Sequence, residues 1–385
     1  MSLDIWPPFP IVVQYYRPEP EDVANEKGEE NVIAAFEHRD RITDILAMNT
    51  PSSPWERFVA VMQEPLVALT RLNLISCRTS GPMAPILPEA FLGGSAPSLR
   101  SFSTTGVVFP ALPRLLLSAR ELVDLRLEAI PPSGYITPDV ITTCLAALPN
   151  LKHLTIQFQS HQSRPIQTSQ PLFTHTVLPS LNSLFIGGFE EYFEDLLSRI
   201  DTPQLDNLFL IFLDPVADTQ QTCQFVSRTE TLRPFNRFQV EFASSSSSIW
   251  ITLGGLHLNV DVKVLRSELW VSLVAWLCSM LSSLLSCVER LDIRSRDTTF
   301  RCGVDAGPWL ELFHPFIAVQ SLYVSKDVGP FVAVALQGLT GDRATGVLPV
   351  LRELFFEPSG SLWESIQSFM AARQLLNRPV TVHYC

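Results

Sequence analysis

Few side chains in this sequence have both the type and the spacing that chemistry requires. Its seven histidines and seven cysteines are scattered along 385 residues. His153, His161 and His175 lie closest together, but their spacing matches no common zinc pattern. His153 reads as part of a strand and the other two as part of a loop, so all three are expected to be surface histidines. The cysteines (Cys77, Cys144, Cys223, Cys278, Cys287, Cys302 and Cys385) are odd in number and form no Cys-x-x-Cys pair. That speaks against a disulfide framework and against structural zinc. There is no Gly-x-x-x-x-Gly-Lys-Ser/Thr phosphate cradle, no Gly-x-Ser-x-Gly elbow and no His-Glu-x-x-His helix. Gly93-Gly94 and Gly254-Gly255 read as turns, and the carboxylates form no pair suited to acid–base work. The expectation is a protein that is not an enzyme and holds no metal or cofactor.

With 46% hydrophobic and 17% charged residues the chain reads as folded, and its net charge of −11 argues against nucleic acid as a partner. Acid gathers in Glu19, Glu21, Asp22, Glu26, Glu29 and Glu30, which reads as a solvated loop. The opening residues lack the basic and apolar regions of a signal peptide. An intracellular setting, cytoplasmic or nuclear, is therefore expected. Leu269 to Val288 carries no charge and is long enough to cross a bilayer. Ser272, Ser279, Ser283 and Ser286, however, fall on one side of a helix, with the leucines on other faces. That pattern predicts a packed amphipathic helix and no membrane span.

The elements that must carry any functional residue come from a repeated phrase: apolar, two variable residues, apolar, one variable residue, apolar. It reads Leu69-Thr-Arg-Leu72-Asn-Leu74, Leu122-Val-Asp-Leu125-Arg-Leu127, Leu151-Lys-His-Leu154-Thr-Ile156 and Leu181-Asn-Ser-Leu184-Phe-Ile186. It returns at Leu99, Leu205, Val288, Val319 and Leu351, often with Pro two positions ahead. The spacing of roughly 23 to 32 residues fits leucine-rich repeats, and the first unit extends to Cys77, read as a buried ladder residue. The last two apolar positions share one side of a short strand. A single such strand cannot bury its apolar side, so neighbours must stack.

Between the phrases lie helical patterns: Trp55 to Met62, Val140 to Leu148 behind a Thr137-Pro138 cap, Tyr192 to Ile200, Trp309 to Phe313, Phe331 to Leu339 and Trp363 to Leu376. The predicted fold class is α/β, a leucine-rich-repeat solenoid, horseshoe-like, with parallel strands on the concave face and helices on the convex face. It has roughly eleven or twelve irregular repeats. Residues 1–50 read as an N-terminal capping segment: a strand at Ile11 to Tyr15, the acidic loop, a helix at Asn31 to His38 and a degenerate first repeat. Residues 51–385 form the repeat domain, with an irregular insertion around 215–265. There Phe238 to Phe242 and Ile249 to Leu253 can form a hairpin across the serine run.

The variable residue between the last two apolar positions must point away from the core. Along the chain it is Asn73, Ser103, Arg126, Thr155, Phe185, Phe209, Asp292, Tyr323 and Phe355. Aromatic residues on a sheet surface need cover, either from the same chain or from a partner. Phe185, Phe209, Tyr323 and Phe355 are therefore the candidate protein-binding anchors, expected as the pairs Phe185 with Phe209 and Tyr323 with Phe355. His153, Asn207, Arg290 and Glu353 are a candidate polar rim.

A further set of phrases carries a resemblance: Trp6-Pro-Pro-Phe9-Pro, Glu37-His-Arg-Asp-Arg41, Met62-Gln-Glu-Pro65, Phe91-Leu-Gly-Gly-Ser-Ala-Pro97, Leu116-Leu-Ser-Ala119, Ile130-Pro-Pro-Ser-Gly-Tyr135 and Arg378-Pro-Val-Thr-Val382. Over nearly its whole length the chain resembles the F-box and leucine-rich-repeat proteins of mushroom-forming fungi. The resemblance implies a substrate-recognition part of an F-box-type ubiquitin ligase receptor, holding an unknown target protein. In that family an F-box precedes the Trp-Pro-x-Phe-Pro segment and docks on the adaptor of a cullin-type ligase. This sequence opens at that segment, so the residues present correspond to the target-binding half. The alternative is an F-box-less scaffold or decoy with no ligase link. An enzyme on a strand-only β-helix is a third reading, and the helical segments speak against it.

Overall fold

The structure, a computed structural model, describes residues 9–15, 26–49, 55–76, 84–160, 175–213, 220–232, 236–245, 247–261, 267–297, 305–339, 346–357 and 363–384. They fall into two compact units, Met1–Leu205 and Asp206–Cys385. Cys77 and His161 lie outside the described residues, as do Glu19, Glu21 and Asp22.

In the first unit the strands are β1 (Ile11–Tyr15), β2 (Ile42–Asn49), β3 (Arg71–Ser76), β4 (Ser101–Thr105), β5 (Asp124–Ile130), β6 (His153–Phe158) and β8 (Ser183–Gly188). They lie side by side in chain order, each pair parallel. A short pair, β7 (Thr176–Val177) with β9 (Ile200–Asp201), stands apart from that sheet. Parallel neighbours need a crossover, and crossovers are right-handed almost without exception. Strands laid down in sequence therefore send every connection to the same side. Helices α1 (Glu26–Ala35), α2 (Trp55–Val61), α3 (Leu112–Ser118), α4 (Pro138–Leu145) and α5 (Glu190–Arg199) occupy those connections or follow the last strand.

The phrase residues form the spine. Ile45, Leu72, Phe102, Leu125, Leu154 and Leu184 are partners in register across six strands, each at most 1% exposed. Two residues on, Ala47, Leu74, Thr104, Leu127, Ile156 and Ile186 form a second buried line. Full burial of one such aliphatic side chain contributes roughly 1.5–3 kcal/mol, and each strand buries its share only because a neighbour covers it.

Several of the remaining phrases interlock. The Arg41 guanidinium donates to the Phe9 carbonyl from Nε at 3.1 Å and from Nη2 at 3.0 Å. The Leu92 and Gly93 amides donate to the carbonyls of Met62 and Gln63 at 2.7 and 3.0 Å. Gly93, at φ +62°, lies so close to Pro65 that a Cβ would stand 2.6 Å from its ring. The Ala96 amide donates to the Ser118 hydroxyl at 2.9 Å. Tyr135 stacks on Phe158 with centroids 5.6 Å apart. These phrases are seams that lock one repeat onto the next.

In the second unit, β10 (Asn207–Phe212), β13 (Leu256–Asp261), β12 (Ser248–Leu253), β11 (Arg237–Ala243), β14 (Arg290–Ser295), β15 (Ser321–Val324), β16 (Glu353–Phe356) and β17 (Thr381–Tyr384) lie in that spatial order. The expected hairpin is present and continues into a third strand. β12 runs antiparallel to β11 and β13, and every other pairing within the unit is parallel. Gly254, at φ +57°, and Gly255 make the two-residue turn between β12 and β13, as two consecutive glycines favour. Leu208, Leu256, Leu253, Phe238, Leu291, Leu322 and Leu354 share one fully buried register line. The alternation of strand and helix resumes with α7 (Trp270–Met280), α8 (Ser282–Leu285), α9 (Gly307–Phe313), α10 (Gly329–Gln337) and the helix Trp363–Leu375, after α6 (Gln220–Arg228) earlier in the unit.

Two expectations need correction. The N-terminal helix starts at Glu26, not Asn31, and runs into a 3-10 turn at Phe36–Arg41. Glu26, Glu29 and Glu30 thus belong to a helix and not a loop. The uncharged segment from Leu269 is not one continuous helix. It breaks at Leu281, whose ψ of 8° leaves the helical range, so α7 and α8 are separate. Leu277, Leu281, Leu284 and Leu285 are buried, while Ser279 and Ser283 are exposed. Among the described residues no helix is long and apolar enough to cross a membrane.

Candidate protein-binding face

Because successive side chains of a strand alternate sides, burial of the two apolar lines forces the intervening residues outward. In the first unit the register aligns Gln14, Leu46, Asn73, Ser103, Arg126, Thr155 and Phe185 in one row. Phe185 is half-buried and His153, two residues ahead of Thr155 on the same face, is exposed. Charge on this face is self-paired: Arg71 with Asp44 at 3.2 Å and Arg126 with Asp124 at 3.1 Å. The hydrogen bond that Arg126 donates to Asp124 raises the Arg126 pKa further. His175 lies 3.3 Å from Asp201, well away from any ligand cluster. Among the described residues no group of three potential metal ligands occurs.

In the second unit the same row reads Phe209, His257, Thr252, Gln239, Asp292, Tyr323, Phe355 and His383. Phe209, Tyr323 and Phe355 are half-buried, and Asn207, Arg290 and Glu353 are exposed beside them. Each ring has a flat neighbour. Phe209 stacks on His257 at 4.3 Å and Phe355 on His383 at 4.6 Å. The Arg294 guanidinium lies 4.9 Å over Tyr323. The Tyr323 hydroxyl donates to Glu357, which also takes the Lys326 amide at 2.9 Å. Together these bonds, the tyrosine first, hold the Glu357 carboxyl below its ordinary range. Burial lowers the His257 pKa, which keeps the imidazole neutral against Phe209.

Tyr323 and Phe355 are register neighbours, as the spacing implies. Phe185 belongs to the first unit, and Phe209, in the second, stacks on His257. Two contributors, His257 and His383, lie outside the residues named from sequence, and a third, Asp292, differs from its expected exposure. His257 lies between Leu256 and Leu258, in a run set by the hairpin rather than by the regular repeat spacing. His383 follows Val380-Thr-Val382, a run without leucine. Asp292 was read as an outward residue, yet it is 0% exposed. It accepts from Arg237 on one oxygen and from Nε and Nη2 of Arg290 on the other, the latter two at 3.2 and 3.1 Å. An Arg two residues before an outward Asp, with a second Arg opening the neighbouring strand, is the signal that marks it.

On the helical elements, a cleft of about 500 Å³ between α7 and α9 holds Ser279, Glu311 and His314, the residue types of a hydrolytic triad. The Ser279 hydroxyl donates to the Trp276 carbonyl at 2.7 Å, so no nucleophile–base pair is assembled there.

No family model and no curated protein matches this sequence. Among solved structures it is similar to the leucine-rich repeat-containing protein LegL7 from Legionella pneumophila. That alignment covers 84% of this chain and 96% of the other, at 13% identity and a TM-score of 0.33. At that score the likeness transfers no residue and no activity.

Proposed function

We propose that this chain is a leucine-rich-repeat solenoid that binds another protein through its strand face and catalyses nothing. Phe185, Phe209, Tyr323 and Phe355 are the anchors; His153, Asn207, Arg290 and Glu353 are the rim. The observation that carries this reading is the outward row of the second unit. Three half-buried rings sit at the centres of strands, each held flat by a neighbour. Rings fixed on rigid elements lose little conformational freedom on association, which suits them to anchoring a partner. A place as the target-binding half of a ubiquitin ligase receptor rests on the resemblance stated above, and an intracellular setting on the odd, unpatterned cysteines.

The test is affinity capture from a fungal lysate by the full chain and by a Phe209→Ala/Phe355→Ala variant of matched thermal stability. A partner recovered by the first and depleted with the second is the expected result. Equal recovery sinks the reading. Co-purification of a cullin-ligase adaptor separates a receptor from an F-box-less scaffold.

A further inference from the structure

On the strand face of the second unit, β11 and β14 carry a local excess of positive charge within a chain of net charge −11, while the nearby carboxylates Glu353 and Glu357 are engaged by Ser321 and Tyr323. β11 and β14 are adjacent and parallel, with Arg237 opposite Arg290 and Glu241 opposite Arg294. Their outward positions, with Arg296 just beyond, carry four guanidinium groups and two carboxylates, Asp292 and Glu241. Arg296 takes Glu241 at 2.6 Å. Asp292 is fully buried between Arg237 and Arg290, so a single negative charge serves two positive ones and cannot swing out to meet a ligand. It acts as a fixed counter-anchor beneath them. Arg237 binds it through Nε alone and Arg290 through Nε and Nη2. The remaining terminal nitrogens are donors on side chains that stay about half exposed, at 46% and 50%.

Arg294 completes the group. It lies on Tyr323 and, among the described residues, forms no ion pair, and its Nε is a buried donor with no acceptor. Glu357 feels its charge but is engaged by Tyr323 and the Lys326 amide. Guanidinium is planar and forked, which matches a carboxylate with two parallel hydrogen bonds.

Resting on the reading of this face as a binding surface, we propose that Arg237, Arg290 and Arg294 take an acidic, extended segment of the partner. Arg290 and Arg294 are four residues apart on one strand, a span of about 13 Å. An extended peptide with acids at alternate positions places carboxylates every ~7 Å and meets both ends of that span. Tyr323 supplies the apolar contact between them.

The experiment is fluorescence anisotropy of the full chain with a labelled Glu-Val-Glu-Val-Glu peptide and its Gln-Val-Gln-Val-Gln counterpart. The acidic peptide is expected to bind about tenfold more tightly, with an advantage that shrinks as salt is raised. Arg294→Gln is the informative variant, because Arg294 holds no ion pair whose loss would unfold the unit. It should weaken the acidic peptide about tenfold. Arg120→Gln, the same charge change on the first unit, should leave binding unaltered. Equal binding of the two peptides, or equal loss in the two variants, overturns the proposal. So does tighter binding of a single-stranded DNA oligonucleotide, which would assign the patch to phosphate. If neither peptide binds while partner capture stays sensitive to Phe209→Ala/Phe355→Ala, the acidic specificity falls and the binding face stands. If capture is also insensitive, the face itself falls.

Discussion

Phe209 and His257 stand on neighbouring strands with their rings 4.3 Å apart and 10° from parallel. The surroundings are half-buried, and burial lowers the His257 pKa from its ordinary 6.5. As pH falls the unfolded chain takes up this proton before the folded chain does. Stability therefore rises with pH across the window. The contribution is complete above about 6.5 and is lost as pH falls from there toward the lower folded value. An NMR titration of the His257 ring should give a midpoint below 6.5. His257→Gln should reduce the acid-side loss of stability, and an unchanged pH profile would refute the assignment.

Asp292 and its two arginines should respond asymmetrically. Removing both arginines strands a fully buried carboxylate, a change that costs about 3–5 kcal/mol. Removing the carboxylate leaves two half-exposed guanidinium groups that can turn to water, so Asp292→Asn should cost about 1–2 kcal/mol. Urea unfolding of Arg237→Gln/Arg290→Gln against Asp292→Asn measures the difference. Equal losses would mean that the carboxylate is hydrated and the anchor is not buried in solution.

Thiol reactivity should follow position in the packing. Burial pushes the Cys144 thiol up to about 11 and the Cys278 thiol further still. The thiolate is the reactive form, so both should resist iodoacetamide in the native chain. Cys287, exposed just past α8, should label before either of them. Peptide mapping of the native, briefly alkylated protein resolves each site. Early modification of Cys278 would show that α7 does not pack as described.

Much of this fold could be read before any coordinates, because a two-residue period and a repeated phrase leave little choice. Leu72, Leu154 and Leu184 had to face inward together, and so had Leu208, Leu322 and Leu354. What escaped was governed by contacts between repeats. The serine run marked β12 as a hairpin strand against β11, but its second antiparallel pairing, with β13, was not expected. β17 has no leucine, since only one side of it is covered by another strand among those described. The burial of Arg199 and Arg373 was hidden in the same way. Arg199 pairs with Asp195 one turn back in its own helix but also with Asp139 of α4, and Arg373 donates to the carbonyls of Leu348, Pro349 and Leu351, more than twenty residues before it. The outward phase of the four rings follows from the two-residue period of a strand. Their companions across the sheet depend on register, which a single sequence states only indirectly.

The β11–β12–β13 ribbon makes an odd number of passes, so the chain leaves it travelling as it entered. One consequence is metric. From β10 to β15 the sheet takes five lateral steps of about 4.8 Å, which sets Phe209 and Tyr323 roughly 24 Å apart. Excising one hairpin would keep every remaining strand pointing the same way and shorten that interval to about 14 Å. The ribbon is thus a spacer of adjustable gauge, able to match the two halves of the row to partners of different breadth without disturbing the spine on either flank.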